Sequence, residues 1–369
     1  MKRYFFTIFT IIFFALMLFF PNEVFQGASS GLLLWFQTVL PTLLPFLILV
    51  NIMQKTSLIR QVSRLVYPAL GLLFSVSTEG CFAVLTGFLC GYPVGAKVTS
   101  DLVRDGRISR QEGAYLLSFC NNTSPGFLAG FVVCQTIRDP SLVLGTMIVF
   151  FAVPILFSFL FRKIYSPKSV GWKSQPLIRT QRIVSLDLFD TSIMNGFETI
   201  TKIGGYIIVF SVLLELTKML PLADTLAGQI GLSFLEITNG VVILETLPFS
   251  FAVRYALIMG LCTFGGLCAA AQTSGMLTGS GLRILPYIIE KLAAAVAGRL
   301  FGFFQRTLPQ WQPVSWLISI FRYQGCNYSS IACANSVSVS SWILSSSRSP
   351  CTISKDSWSE FTRLSYFVV

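Results

Sequence analysis

Long charge-free runs divide the chain. Tyr4 to Phe20 is 17 residues without a charge, and Gly31 to Met53 is 23. Further apolar segments follow at 66–76, 81–96, 113–137, 141–161, 203–220, 232–250, 255–275 and 284–304. A helix needs about 20 apolar residues to cross the hydrocarbon core, within roughly 17–25. One such run suits a buried helix of a soluble domain; so many do not. The pattern predicts an all-α polytopic membrane protein, in which the short segments do not cross alone.

The basic residues order these segments. Lys2 and Arg3 place the N-terminus inside. Loop 21–30 holds Glu23 and no basic residue, as an outer loop should. Loop 54–65 carries Lys55, Arg60 and Arg64, and 97–112 carries Lys97, Arg104, Arg107 and Arg110, so both read inside. Residues 66–96 must then enter and leave on one face. Ser75 to Gly80 supplies a polar break, which predicts a re-entrant helical hairpin, tolerated only inside protein or along a cavity. Segment 113–137 goes out and 141–161 returns. Loop 162–186 holds six basic residues and no acid, the clearest inside mark. Segment 203–220 exits, 232–275 forms a second hairpin around Arg254, and 284–304 returns.

The second half repeats the order of the first. A shift of 174 positions puts Phe36 on Phe210, Gly91 on Gly265, Ala96 on Ala270, Thr99 on Thr273 and Ser100 on Ser274. The charges run the two copies in opposite directions. The expected fold is two inverted repeats, each helix, re-entrant hairpin and helix, plus connecting helices, with 141–161 as the helix that flips the second copy. The expected divisions are an N-terminal transmembrane helix at 1–30, a first repeat with connecting helix at 31–161, a basic cytoplasmic loop at 162–202, a second repeat at 203–305, and a Ser-rich tail at 306–369. That tail reads as disordered or as an out-of-frame extension. Inverted repeats with broken helices place substrate where the breaks meet.

Composition excludes more than it proposes. The chain is 53% hydrophobic, 12% charged, and carries a net charge of +11 with no histidine. Without histidine, Ser-His-Asp and Cys-His catalysis are excluded, as is most zinc chemistry. An enzyme is not expected, nor a cofactor or metal. The positive charge lies between apolar runs without interleaved stacking aromatics, so nucleic acid is not an expected partner. Six of the nine cysteines lie in apolar stretches and read as small hydrophobes.

Four polar clusters interrupt the spans. In Gly91-Tyr92-Pro93-Val94-Gly95-Ala96-Lys97 the Gly and Pro break the helix, and freed amides with Lys97 suit an anion. The alternative is a packing kink with Lys97 snorkelling to the surface. Asn121-Asn122-Thr123-Ser124-Pro125 falls midway along 113–137, where the alternative is hydrogen bonding between helices. Glu236-Ile237-Thr238-Asn239-Gly240, with Glu245 nearby, offers carboxylates for coupling a proton or cation, unless this piece lies at the outer surface. Gly265-Gly266 with Gln272, Thr273 and Ser274 is the repeat-mate of the first cluster. Lys97, Asn121, Asn122 and Ser124 are expected to approach Gln272, Thr273 and Ser274. Glu290-Lys291 reads as a structural ion pair.

At these clusters the chain resembles the YlbJ-type sporulation integral membrane proteins, within the wider nucleoside-recognition Gate-domain group. The resemblance covers 31–305. It rests on Leu-Pro-x-Leu-Leu-Pro-Phe at 40–46, the Gly-Tyr-Pro-x-Gly-Ala-Lys stretch at 91–97 with Cys90 in place of the usual Ser, Asn121 to Pro125, Leu235 to Gly240, and Phe264-Gly265-Gly266 with Ala271-Gln272. It implies a sporulation role in an endospore former, with movement of dipicolinate, a small aromatic dianion, across the outer forespore membrane. Tyr92 would face its ring. A nucleoside or cation transporter of the same group, or a non-transporting scaffold for spore assembly, are the alternatives. The partners implied are that anionic substrate and membrane lipid; self-association into a homo-oligomer is left open.

Overall fold

The computed structural model describes residues 2–165 and 186–307. Residues 166–185 of the expected basic loop and nearly all of the Ser-rich tail fall outside these residues, and 186–202 is helix rather than loop. Every regular element described is helical. An all-α polytopic membrane protein is therefore what the chain forms.

In order, the helices are α1 (Lys2–Phe19), α2 (Pro21–Leu34), α3 (Leu40–Lys55), α4 (Leu58–Phe74), α5 (Thr78–Cys90), α6 (Val94–Arg104) and α7 (Arg110–Cys120). A π-helical segment, Phe127–Ile137, continues α7 after a break. Then come α8 (Val143–Tyr165), α9 (Leu186–Lys218), α10 (Leu226–Ser233), α11 (Ile237–Thr246), α12 (Phe251–Phe264), α13 (Gly266–Met276) and α14 (Ile284–Thr307). Among the described residues, four stretches are long and apolar enough to cross a bilayer: Pro21–Lys55, Pro140–Tyr165, Leu186–Lys218 and Phe251–Met276.

The first stretch corrects one expectation. Residues 21–30 are not a loop but helix, and a π turn at Trp35–Val39 joins α2 to α3. The small residues there are contact surface. Gly27 and Gly31 form a Gly-x-x-x-Gly face, and a Cβ at Gly27 would stand 2.7 Å from the Val212 Cα of α9. Such faces let helix backbones approach closely in lipid. Helix α9 likewise begins at Leu186, earlier than the apolar run at 203 suggests.

The chain breaks at Ser75 to Gly80 as expected, but as a bend beside the end of α3 and the start of α7, not as the buried tip of a hairpin; the helices that fold back on each other are α5 and α6, around Gly91. Helices α4 and α5 meet at 88° across a short gap. Ser75 turns the chain in the left-handed region, and the Ser77 hydroxyl accepts from the Gly80 amide at 3.0 Å, capping α5. The Arg107 guanidinium donates to the Gln54 carbonyl at 3.3 Å and to Glu79 at 2.5 Å. The end of α3, the start of α5 and the α6–α7 turn therefore lie together on one face.

The 174-residue shift also aligns several element boundaries. Adding 174 to α5 (78–90) gives 252–264, against Phe251–Phe264 for α12. Adding it to the start of α7, 110, gives 284, where α14 begins. The breaks at Gly91 and Gly265 correspond, and both glycines have positive φ, 80° and 92°. An L side chain is strained there, so glycine is the residue that lets these helices break. In the second half, however, α12 and α13 stay close enough to collinear to count as one span.

Candidate functional site

The two glycine breaks touch. A Cβ on Gly265 would lie 3.1 Å from the Tyr92 ring, so the aromatic of the first break rests on the second. A cavity of about 90 Å³ opens beside them. Its wall takes residues from all four polar clusters: Tyr92 from the first, Thr123 and Ser124 from the second, Glu236 and Thr238 from the third, Gly265 and Gln272 from the fourth. Thr38 and Thr42, around the π turn in the first long helix, close another side.

Each break is braced by another broken element. Tyr92 N–H donates to the Asn122 carbonyl at 2.6 Å. The Asn121 Oδ1 accepts from the Ala96 amide at 3.1 Å and so caps α6 from 25 residues away. Its Nδ2 donates to the Thr273 hydroxyl and to the Tyr287 hydroxyl, both at 3.0 Å. In the second half, the Leu267 and Cys268 amides donate to the carbonyls of Phe234 and Leu235 at 2.7 and 2.9 Å. The Thr123 hydroxyl donates to the Cys262 carbonyl at 2.6 Å.

These bonds correct the idea that the first half-helix presents free amides to an anion. The Val94 and Gly95 amides donate to the Gly91 carbonyl, the Lys97 amide to the Pro93 carbonyl, and the Ala96 amide to Asn121. An unsatisfied amide in the membrane interior is costly, so the protein fills each from within.

Lys97 is also placed differently from expectation. It sits one turn into α6, away from the cavity wall, and its Nζ donates to Asp101 at 2.9 Å and Asn51 at 3.3 Å. Arg104 pairs with the same Asp101. Gly95 packs rather than binds: a Cβ there would lie 2.9 Å from the Gly87 Cα. Gly91 is wedged against the Ser124 backbone. Ser274 is exposed and apart from the cavity wall, whereas Gln272 is buried and lines it. Thr273 is fully buried and meets Asn121.

The two acids of the third cluster separate. Glu236 is buried at the cavity wall and caps α11, accepting from the Thr238 amide at 3.0 Å and the Asn239 amide at 2.9 Å. The positive end of the helix stabilises its charge. Glu245 pairs with Arg254 at 3.4 Å, away from the cavity. The adjacent Glu290 and Lys291 part company as well. Glu290 accepts from the Tyr165 hydroxyl, while the Lys291 Nζ donates to the Asn122 Oδ1 at 2.6 Å. Among the described residues, no lysine or arginine lines the cavity.

Comparison with known proteins gives one informative likeness. The chain is 26% identical to the sporulation integral membrane protein YlbJ of Bacillus subtilis (strain 168), with 80% of this chain and 79% of that protein covered. The resemblance to the YlbJ-type proteins holds. No family model and no solved structure matches the chain. The likeness to YlbJ extends over about four-fifths of each chain and is not confined to one motif.

Four residues at or beside this site are not singled out by the sequence. Thr38 and Thr42 look like isolated polar residues in an apolar run, and only the π turn aims them at the cavity. Cys268 lines the wall and bonds Gln272 at 3.3 Å. Lys291 was visible as a charge in a span, but its neighbour Glu290 disguised it.

Proposed function

We propose that this chain is a membrane transporter of sporulation that moves dipicolinate across the outer forespore membrane, with the cavity between the two glycine breaks as its substrate site. The observation that carries the transport reading is the convergence there of four polar clusters from distant parts of the chain. Several of these groups also brace the breaks, and their meeting around one hollow is what a solute site adds. A flat aromatic solute would stack against Tyr92 and hydrogen-bond to Thr123, Ser124 and Gln272.

The sporulation part rests on the likeness to YlbJ, and the dipicolinate part on what YlbJ-type resemblance implies. In this proposal the two halves are inverted repeats that exchange shapes, opening the cavity to one side and then the other. The basic stretches around Arg64 and Arg104 face the cytoplasm of the mother cell. Glu236 carries the coupling proton or cation at the cavity wall; Glu245, held by Arg254, does not take part.

A second reading is favoured by one observation. The wall holds the carboxylate of Glu236 and neither Lys nor Arg, which suits a nucleoside or a cation better than a dianion. Uptake into proteoliposomes of labelled dipicolinate, compared with labelled nucleosides, decides between them. Saturable dipicolinate uptake, absent from protein-free vesicles, is the expected result. Nucleoside uptake without dipicolinate uptake moves the site to the second reading, and no uptake of either leaves a scaffold.

A further inference from the structure

The cavity wall leaves the charge of a dianion unanswered, yet a cation lies close behind it. Lys291 of α14 is only 2% exposed. Its Nζ donates to the Asn122 Oδ1 at 2.6 Å and stands 5.9 Å from the centre of the Tyr287 ring. Among the described residues no carboxylate lies within ion-pair distance of it. Glu290, next in sequence, is turned roughly 100° around the helix and is engaged by Tyr165.

An ammonium has three donors, and a charge buried in a membrane needs strong acceptors. One neutral amide and the face of a phenol are a sparse set. If Lys291 only held α14 against the break, an uncharged side chain would serve at lower cost.

Its partner Asn122 sits in the wall between two hollows. The Asn122 carbonyl holds Tyr92, and the next residues, Thr123 and Ser124, line the large cavity. Asn122 itself lines a smaller cavity of about 10 Å³ with Cys262 and Thr263. The unwound segment 121–124 thus borders both, with Lys291 bonded to it.

We infer that Lys291 is the cation of the binding site: its ammonium, held by the Asn122 side chain in this conformation, pairs with a carboxylate of a bound aromatic dicarboxylate when the 121–124 segment shifts. This deepens the transport reading and rests on it. It also explains how a dianion is accepted in a cavity walled by Glu236.

The test uses the full chain in nanodiscs, titrated with dipicolinate by calorimetry, with thermal unfolding run in parallel. Asn122→Asp gives Lys291 a permanent carboxylate partner of the same shape. Because a carboxylate there also repels a dianion directly, this variant mainly serves to show that the fold survives, and Lys291→Met carries the decision. We expect Asn122→Asp to unfold at or above the wild-type temperature and to bind at least tenfold more weakly. Lys291→Met, which removes the charge and keeps the length, is expected to weaken binding by about 10–100-fold. Wild-type affinity in Lys291→Met, or in a folded Asn122→Asp, overturns the inference and leaves the transport reading intact. No binding by the wild type overturns the dianion reading itself, and Lys291's role with it.

Discussion

The side-chain amide of Asn121 donates to the hydroxyl of Thr273 across 3.0 Å, joining two residues that are 152 positions apart. One amide therefore caps α6 through its oxygen and ties the first half to α13 through its nitrogen. The same side chain reaches Tyr287 of α14.

Asn121→Ala should destabilise the protein more than Lys97→Ala does. The first change strands the Ala96 amide and takes one partner from each of two buried hydroxyls, at about 1–3 kcal/mol for a buried group left unpaired. The second leaves Asp101 still paired with Arg104, so no charge is stranded. Thermal unfolding of both variants in one detergent checks the order. On charge alone, Lys97 would be the residue that transport needs; its place outside the cavity wall reverses that ranking, and Lys97→Ala should keep most dipicolinate uptake.

Gly31→Leu should loosen α2 from α9. A Cβ there would already stand 2.9 Å from the Ile208 Cα, so the backbones must part. Overpacking of this kind costs about 1–3 kcal/mol. A lower unfolding temperature and poorer recovery after solubilisation are expected, and an unchanged melting curve would show that the two helices are not held by this contact.

Glu236→Ala should cost more than Glu236→Gln. Alanine leaves the Thr238 and Asn239 amides without acceptors, whereas glutamine retains one oxygen. A difference of about 1 kcal/mol is expected from the cap alone. Urea or thermal unfolding of the pair reads it directly.

Single cysteines at Arg64 and Arg104 should react with an impermeant maleimide from the same side of the membrane, because Arg107 bonds the Gln54 carbonyl and the basic stretches are contiguous. A cysteine at Arg138, exposed at the far end of the π-helical segment, should react from the opposite side. Labelling of Arg64 and Arg104 positions from opposite faces would break the hairpin.

Much of this was legible where the signal is local. Gly91, Pro93, Asn121 to Pro125 and Gly265 announce breaks because glycine, proline and asparagine act on their own backbone, and the breaks fall there. Segment 66–76 falls within α4 up to its bend, whereas 81–96 runs through α5 and the Gly91 break into α6. What stayed hidden depends on distant partners. Nothing near Ala96 reveals that its amide is taken by Asn121. Glu290 and Lys291 resemble a pair because they are adjacent, yet neighbours on a helix do not face each other. The polar look of 21–30 suggested a loop, although small residues in a membrane helix mark a contact as readily as a turn.

The Gly27–Val212 contact has a consequence for how the protein is made. Glycine 27 leaves the ribosome 185 residues before its partner. At about 5–20 residues per second, that is roughly 10–40 s during which α2 is already in the bilayer and α9 does not yet exist. Throughout that interval lipid must lie against the glycine face and then be displaced. A shallow face of glycine and serine grips acyl chains weakly, so it gives them up readily when the late helix arrives. The timing of synthesis, as well as the closeness of the finished contact, favours small residues at this position.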